Sequence, residues 1–455
     1  MERDIDKIRR AIATQYEQKC KENNVKRHDK LYYNLIEPVA TGEKKLDSSE
    51  PKDNQVLSIS IVYRGNYKMY FTDRIKDHDF ELLCEALTDY ADLIAHMDFS
   101  FNEITERSTK AFANLLDQAI KLESLNMQYN YLGAAGCQCI LDALTQVKVE
   151  GDGNSSLVYL NLEGNDVKTE GVMGVDANEK LFSKNVSTKI QRFMENNKDL
   201  VELNLANNKI DEIGMIEIVS QLNSDSNTTS LAVLTLDNPF FSSLNQTTSF
   251  HIGRMLQSRY CSLEKLSLRK FDLNDEGLTM ICENLIVKEK NRLRVLDIGA
   301  NKITYKGCVA LSNMLKARNC VLKSLIMNNN RTSYFGAKAM ADAIERNDTL
   351  VHLDMTTNDI TDDGLYLIAH ALKKNSTLFS LKLYYNHFGE RSKREFFDLL
   401  RKKNDKDNQR ERLSDWFLDF TIYKVDENIQ IAYVDNRFPD DIYVPRRYYI
   451  ATDLI

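Results

Sequence analysis

The chain has 455 residues, 43% of them hydrophobic and 28% charged, with a formal net charge of −7. That balance suits a soluble chain able to bury a large core, and it gives no overall basic field for nucleic acid. Five prolines and seventeen glycines exclude collagen-like and Pro-rich chains, and no run of eighteen apolar residues offers a membrane span.

The chain opens on Ile5, Ile8, Ile12 and Tyr16 at helical spacing, without the long apolar core of a secretory signal. This helix is expected to cap one end of the fold or to dock elsewhere. "ATGEKKLDSSEPKDNQ" (40–55) reads as a flexible linker. "VLSISIV" and "DFELLCEAL" then suggest a strand and a helix, a degenerate unit over 56–93.

From Ile94 a frame recurs: L-x-x-L-x-L-x-x-N. Ten copies start at 94, 122, 157, 200, 231, 263, 293, 322, 350 and 378, and the last four starts are 29, 28 and 28 residues apart. Eight copies end in asparagine: Asn102, Asn130, Asn165, Asn208, Asn301, Asn330, Asn358 and Asn386. In the other two Pro239 and Phe271 stand there. Positions four and six alternate, so both point inward from a short strand. The asparagine amide can bond unpaired backbone groups in a turn, and stacked copies would form a ladder. The period then becomes helical: Leu365, Ile368, Ala369 and Leu372 share one face. No strand–turn–helix unit buries its apolar face alone, so the units must stack.

Positions three, five and seven of the frame point the other way. They supply the candidate partner-binding residues Tyr159, Glu163, Glu202, Asp237, Lys265, Arg269, Asp297, His352, Asp354, Lys382 and Tyr384. A long gap over 166–199 lengthens one repeat and is expected to end in a helix with Ile190, Phe193 and Met194 inside. After a mixed-charge break at 401–412 the tail turns aromatic. Trp416, Phe417, Tyr423, Tyr433, Tyr443, Tyr448 and Tyr449 either cover the open end of the last repeat or form part of a docking strand. The expected division is 1–55 helix and linker, 56–93 cap, 94–404 repeats, and 405–455 tail.

Residues for chemistry are scarce. The sequence has no phosphate-binding GxxxxGK[ST], no GxGxxG, no HExxH and no GxSxG, and no two histidines sit at metal-ligand spacing in one helix. The eight cysteines are scattered, as small apolar residues in a reducing compartment would be. No catalytic residue, cofactor, metal, nucleic acid, membrane or small-molecule substrate is expected. Seven Asn-x-Ser/Thr sequons occur, and the one at Asn330 falls on a turn asparagine.

The frame and its repeat length resemble leucine-rich repeats of the ribonuclease-inhibitor type. That resemblance implies an α/β solenoid of about ten repeats, with a parallel sheet on a concave face and helices on a convex face. It also implies protein binding. Among such proteins, Ran GTPase activators usually end in a strongly acidic tail, ribonuclease inhibitors are denser in cysteine and tryptophan, and immune receptors carry a preceding nucleotide-binding domain; this sequence shows none of these. The tail stretch "IYKVDENIQIAYV" resembles that of leucine-rich-repeat proteins of testis and motile cilia. This second likeness implies a scaffold of the axoneme, at a radial spoke or nexin–dynein link, in the cytoplasm and cytoskeleton. The alternative is a regulator that holds a small GTPase or an enzyme against the strand face.

Overall fold

The structure is a computed structural model that describes residues 2–37, 58–68, 70–146, 156–167, 177–223, 230–241, 246–401 and 417–434. The linker at 40–55 and nearly all of the mixed-charge break lie outside them. The described residues up to Leu231 form one compact unit, and those from Ala232 onward form another.

In the first unit, helices α1 (Glu2–Glu22) and α2 (Asp29–Ile36) precede strand β1 (Ile59–Val62) and helix α3 (Asp77–Leu87). Then come β2 (Ile94–Asp98), α4 (Thr109–Leu116), β3 (Ser124–Asn126), α5 (Gly133–Gln146) and β4 (Tyr159–Asn161). The unit closes with α6 (Ala177–Asn196), β5 (Glu202–Asn204) and α7 (Glu212–Gln221). The strands are parallel and neighbour one another in chain order, with Met97, Leu125, Leu160 and Leu203 in register. Parallel neighbours need a crossover, and the helices between the strands supply them.

The second unit repeats the scheme through β6 (Val233–Thr235), α8 (Gln246–Gln257), β7 (Lys265–Ser267), α9 (Asp275–Val287) and β8 (Val295–Asp297). It continues through α10 (Tyr305–Leu315), β9 (Ser324–Ile326), α11 (Ser333–Arg346), β10 (His352–Asp354), α12 (Asp362–Leu372), β11 (Ser380–Lys382) and α13 (Glu390–Arg401). Its parallel strands keep Leu234, Leu266, Leu296, Leu325, Leu353 and Leu381 in one row.

Positions four and six of the frame are the core. Leu125, Met127, Leu296, Ile298, Leu353 and Met355 are wholly buried, as are Leu365, Ile368 and Ala369 on the facing helix. Each of these leucine, isoleucine and methionine side chains contributes about 1.5–3 kcal/mol by leaving water. Ile190, Phe193 and Met194 of α6 are buried in the same way.

The chain bends at the residue before the asparagine. Phe101, Tyr129, Gly164, Asn207, Asn238, Lys270, Ala300, Asn329, Thr357 and Tyr385 all hold φ between 49° and 68°, the left-handed region. Every one of the ten repeats turns there, whatever residue it carries. The asparagine then pins the turn. Asn130 donates through Nδ2 to the carbonyls of Met127 (3.0 Å) and, in the preceding repeat, Phe99 (2.9 Å), while its Oδ1 accepts from Ile104 N–H. Asn102, Asn165, Asn208, Asn301, Asn330, Asn358 and Asn386 each donate likewise to their own turn and to the strand before it. Where Phe271 replaces the asparagine, its ring is buried and its N–H donates to Asn301 Oδ1.

Both ends of the repeats are covered. Ile12, Tyr16 and Cys20 of α1 are buried, and Arg9 donates to the carbonyl of Ser60 on β1 (3.0 Å). At the other end β12 (Phe417–Leu418) pairs in parallel with β11, and the hairpin β13 (Phe420–Val425)–β14 (Asn428–Tyr433) comes next. Phe420 is buried against Phe388 and Phe396, with ring centroids 5.1 and 5.2 Å away.

Candidate functional site

The strand face carries positions three, five and seven, and its side chains bond to one another from row to row. In the first unit Arg64 Nε donates to Asp98 Oδ2 (2.6 Å), which also accepts from Asn126 Nδ2 (3.1 Å). Asn161 donates to Gln128, and Glu163 gathers three donors: Tyr129 Oη (2.9 Å), Asn204 Nδ2 (3.0 Å) and Asn207 Nδ2 (2.7 Å). Tyr159 Oη accepts from Asn161, and burial together with Glu202 raises its pKa. Tyr159, Glu163 and Glu202 are half-buried and share this face.

In the second unit Asp237 accepts from Ser267 Oγ (2.7 Å) and from the Arg269 N–H. The Arg269 guanidinium donates to Asp297 (3.1 Å) and to Asn328 (3.2 Å), and Asn328 in turn donates to Asp354. A guanidinium so occupied is held in the plane of the face, not extended from it. Burial pushes the Asp297 carboxyl up to about 6, although Arg269 and the Gly299 N–H pull the other way. Lys265, Lys382 and Tyr384 are half-buried on the same face.

Three of the expected partner-binding residues expose little surface in this arrangement. Asp297, His352 and Asp354 lie on the strand face but are buried. His352 Nδ1 lies 2.7 Å from Ser380 Oγ on the next strand. The two aspartates belong to a second recurrent motif that the outward reading of position five did not foresee. There Oδ1 accepts the backbone N–H two residues on: Asp98 from Ser100, Asn126 from Gln128, Asn161 from Glu163, Asn204 from Ala206, Asp297 from Gly299, and Asp354 from Thr356. The repetition of Asp or Asn at that position is its signal in the sequence.

A second asparagine row was also missed. Three residues before the first leucine of four frames, Asn197, Asn319, Asn347 and Asn375 each donate to carbonyls of the preceding repeat. The spacing N-x-x-L marks it. Asn347 and Asn375 are sequon residues, as is Asn330, and all three are buried in these bonds.

The tail residues divide. Phe417 extends the sheet, with its ring half out and 6.2 Å from Phe379. Tyr433 packs on Tyr384 at 4.7 Å yet keeps half its surface exposed, and Tyr423 is exposed. Trp416, Tyr443, Tyr448 and Tyr449 lie outside the described residues. Asp419 had not been singled out. Its carboxylate accepts the N–H groups of Leu383 (2.9 Å) and Tyr384 (3.0 Å); in the preceding repeat the first of these bonds to the next strand and the second to the position-five aspartate, where Lys382 offers no acceptor. Asp419 directly follows β12, and its side chain takes over where that two-residue strand stops.

Among the described residues no three His, Cys, Asp or Glu side chains gather as metal ligands would, and no helix is long and apolar enough to cross a membrane. Burial pushes the thiol of Cys137 up to about 12, and Cys282 and Cys308 are raised for the same reason. A thiol so raised is protonated and a poor nucleophile.

A family model described as Leucine Rich repeat matches residues 118–141, 153–175, 196–219, 291–312 and 346–369. The chain is 22% identical to ribonuclease inhibitor of Sus scrofa over 316 residues, covering 63% of this chain and 63% of that protein. It is 34% identical to leucine-rich repeat-containing protein 34 of Homo sapiens over 71 residues, 16% of this chain and 15% of that protein. Neither relative is spanned over two thirds of its length. A crystal structure of an internalin from Listeria monocytogenes aligns at 17% identity over 70% of this chain and 79% of that one, with a TM-score of 0.35, too loose to bear on function. Taken with the strand–turn–helix units above, these likenesses make this a chain of leucine-rich repeats similar to ribonuclease inhibitor.

Proposed function

We propose that the chain is a protein-interaction scaffold without chemistry of its own, holding neighbours in a multi-subunit assembly through its strand face and its terminal hairpin. The observation that carries this reading is the bonding of the strand face from row to row. Side chains such as Glu163 and Arg269 are already fixed by two or three partners each, so a protein that lands there immobilises little more. The half-exposed Glu202, Lys265, Lys382 and Tyr384 supply the varied polar contacts, and Tyr423 and Tyr433 add exposed rings on the hairpin. A standard interface buries about 1,600 Å² in total, which a run of parallel strands can provide.

The assembly we favour is the axoneme of motile cilia, in the radial-spoke or nexin–dynein region, which places the chain in the cytoplasm on the cytoskeleton. This finer reading rests on the tail resemblance and on the short similarity to leucine-rich repeat-containing protein 34. The test is recovery of tagged chain with isolated axonemes, for the wild type, for Glu202→Lys/Lys382→Glu and for Tyr423→Ser/Tyr433→Ser. Recovery of the wild type with loss of either variant supports the proposal. Wild type left in the soluble extract refutes the axonemal reading, and unchanged recovery of both variants refutes the assigned surfaces. The same preparations, assayed for accelerated GTP hydrolysis by added small GTPases, would reveal the regulator alternative.

A further inference from the structure

The helix side of the second unit carries a patch that the strand-face reading does not use. Tyr305 and Val309 lie one turn apart on α10, 44% and 46% exposed, and Phe335 at the start of α11 is 62% exposed. The Tyr305 and Phe335 rings are 5.9 Å apart, so the apolar surface is continuous between the two helices. Lys306 and Lys338 are exposed on the same two helices. Arg331 is exposed in the turn before α11, and its N–H donates to the Ile303 carbonyl (2.9 Å), which sets that turn beside the start of α10.

The charges here are unlike those around them. Lys302 pairs with Asp272, Lys316 and Arg346 with Asp342, Lys374 with Glu345, and Arg391 with Asp363. Asp275 is occupied by the Thr304 and Gly307 N–H groups. Among the described residues Lys306, Arg331 and Lys338 have no ion-pair partner. Glu276, exposed in the first turn of α9, bounds the patch on one side. Three unneutralised cations thus share two helices and one turn with three exposed apolar side chains, in a chain whose net charge is −7.

We propose that Tyr305, Val309 and Phe335, with Lys306, Arg331 and Lys338, dock a short acidic segment of a protein partner that carries one or two large apolar side chains. Charge complementarity selects the carboxylates, and the exposed rings select the apolar anchors. The size of the patch selects a short segment. Three side chains of this kind cover a few hundred Å², well below the roughly 1,600 Å² of a standard stable interface. Three cations are few for a nucleic-acid backbone, since phosphate binding gains strength from many cations. This site stands on a different face from the assembly surfaces above and does not depend on them.

The experiment is fluorescence anisotropy on the full chain. The probe is a labelled ten-residue peptide of Glu and Asp, with Leu and Phe four positions apart. Three further probes are compared: the same anchors among lysines, the same acids without anchors, and a single-stranded oligothymidylate. The acidic anchored peptide should bind most tightly and weaken as salt rises. Phe335→Ser and Lys306→Glu/Lys338→Glu should each cut its affinity at least tenfold, while Phe250→Ser on α8 changes nothing. All altered positions are exposed, so melting temperatures should match the wild type, and either variant suffices if the other folds poorly. No binding of the acidic peptide, equal binding to every variant, or tighter binding of the oligonucleotide overturns the proposal.

Discussion

The Nδ2 of Asn301 sits 2.8 Å from the carbonyl oxygen of Leu268, in the repeat before its own. The same amide donates to Ile298 and its oxygen accepts from the N–H groups of Phe271 and Leu273. One side chain therefore closes two turns at once. Asn301→Ala leaves three buried backbone groups unpaired, the Leu268 carbonyl and the Phe271 and Leu273 N–H groups, while the Ile298 carbonyl keeps the Asn330 amide; each orphan costs roughly 1–3 kcal/mol unless water reaches it. Urea denaturation should show a loss of about 3 kcal/mol or more. Asn386→Ala should lose less, because Asn386 is half-exposed and water can replace its bonds.

The left-handed residue before each asparagine makes a second prediction. Thr357 is β-branched and holds φ 54°, a conformation that such residues avoid. Asparagine occupies the same place at Asn207, Asn238 and Asn329 and tolerates it. Thr357→Asn should raise the stability of the second unit by about 0.5–1 kcal/mol, and Thr357→Val should not. A denaturation midpoint that falls for Thr357→Asn would mean that the threonine side chain stabilises the turn in some other way.

Asp297 makes stability depend on pH. Its folded pKa is raised to about 6 by burial, above the unfolded value. Between the two values the folded chain holds a proton that the unfolded chain has released. The contribution is therefore complete below the unfolded pKa and is lost as pH rises through about 6. Asp297→Asn should flatten this decline, with a relative gain between pH 4 and pH 7.5 on the order of 1–3 kcal/mol. The measurement is a denaturation series over that range, and an unchanged slope would remove Asp297 as its source.

Asp419 closes the sheet by accepting the N–H groups of Leu383 and Tyr384. Asp419→Ala should leave β11 as a frayed edge. Hydrogen exchange at Leu383 and Tyr384 should rise by ten-fold or more, while amides of β8 and β9 keep their protection. Equal exchange in both proteins would mean that β12 alone closes the edge.

Much of this was legible in the sequence, and the reasons for the rest are physical. The L-x-x-L-x-L frame exposes the core because burial restricts positions four and six to apolar residues. The turn asparagines stand out because few side chains both donate to two carbonyls and accept an N–H. The left-handed position stayed hidden because backbone geometry, not residue type, sets it: Phe101, Lys270, Ala300 and Tyr385 share it. Position five misled because Asp297 and Asp354 look like surface charges, yet each bonds its own backbone at the end of a strand. Asp419 lies in an aromatic tail outside any repeat, so no period could mark it.

The central claim is that this chain works by holding proteins, and sedimentation of tagged chain in a native extract of cells with motile cilia tests it most directly. The chain should travel in a large, salt-resistant particle with other proteins in fixed ratio, and Tyr423→Ser/Tyr433→Ser or Glu202→Lys/Lys382→Glu should shift it toward the top of the gradient. A wild-type chain that sediments alone would contradict the claim.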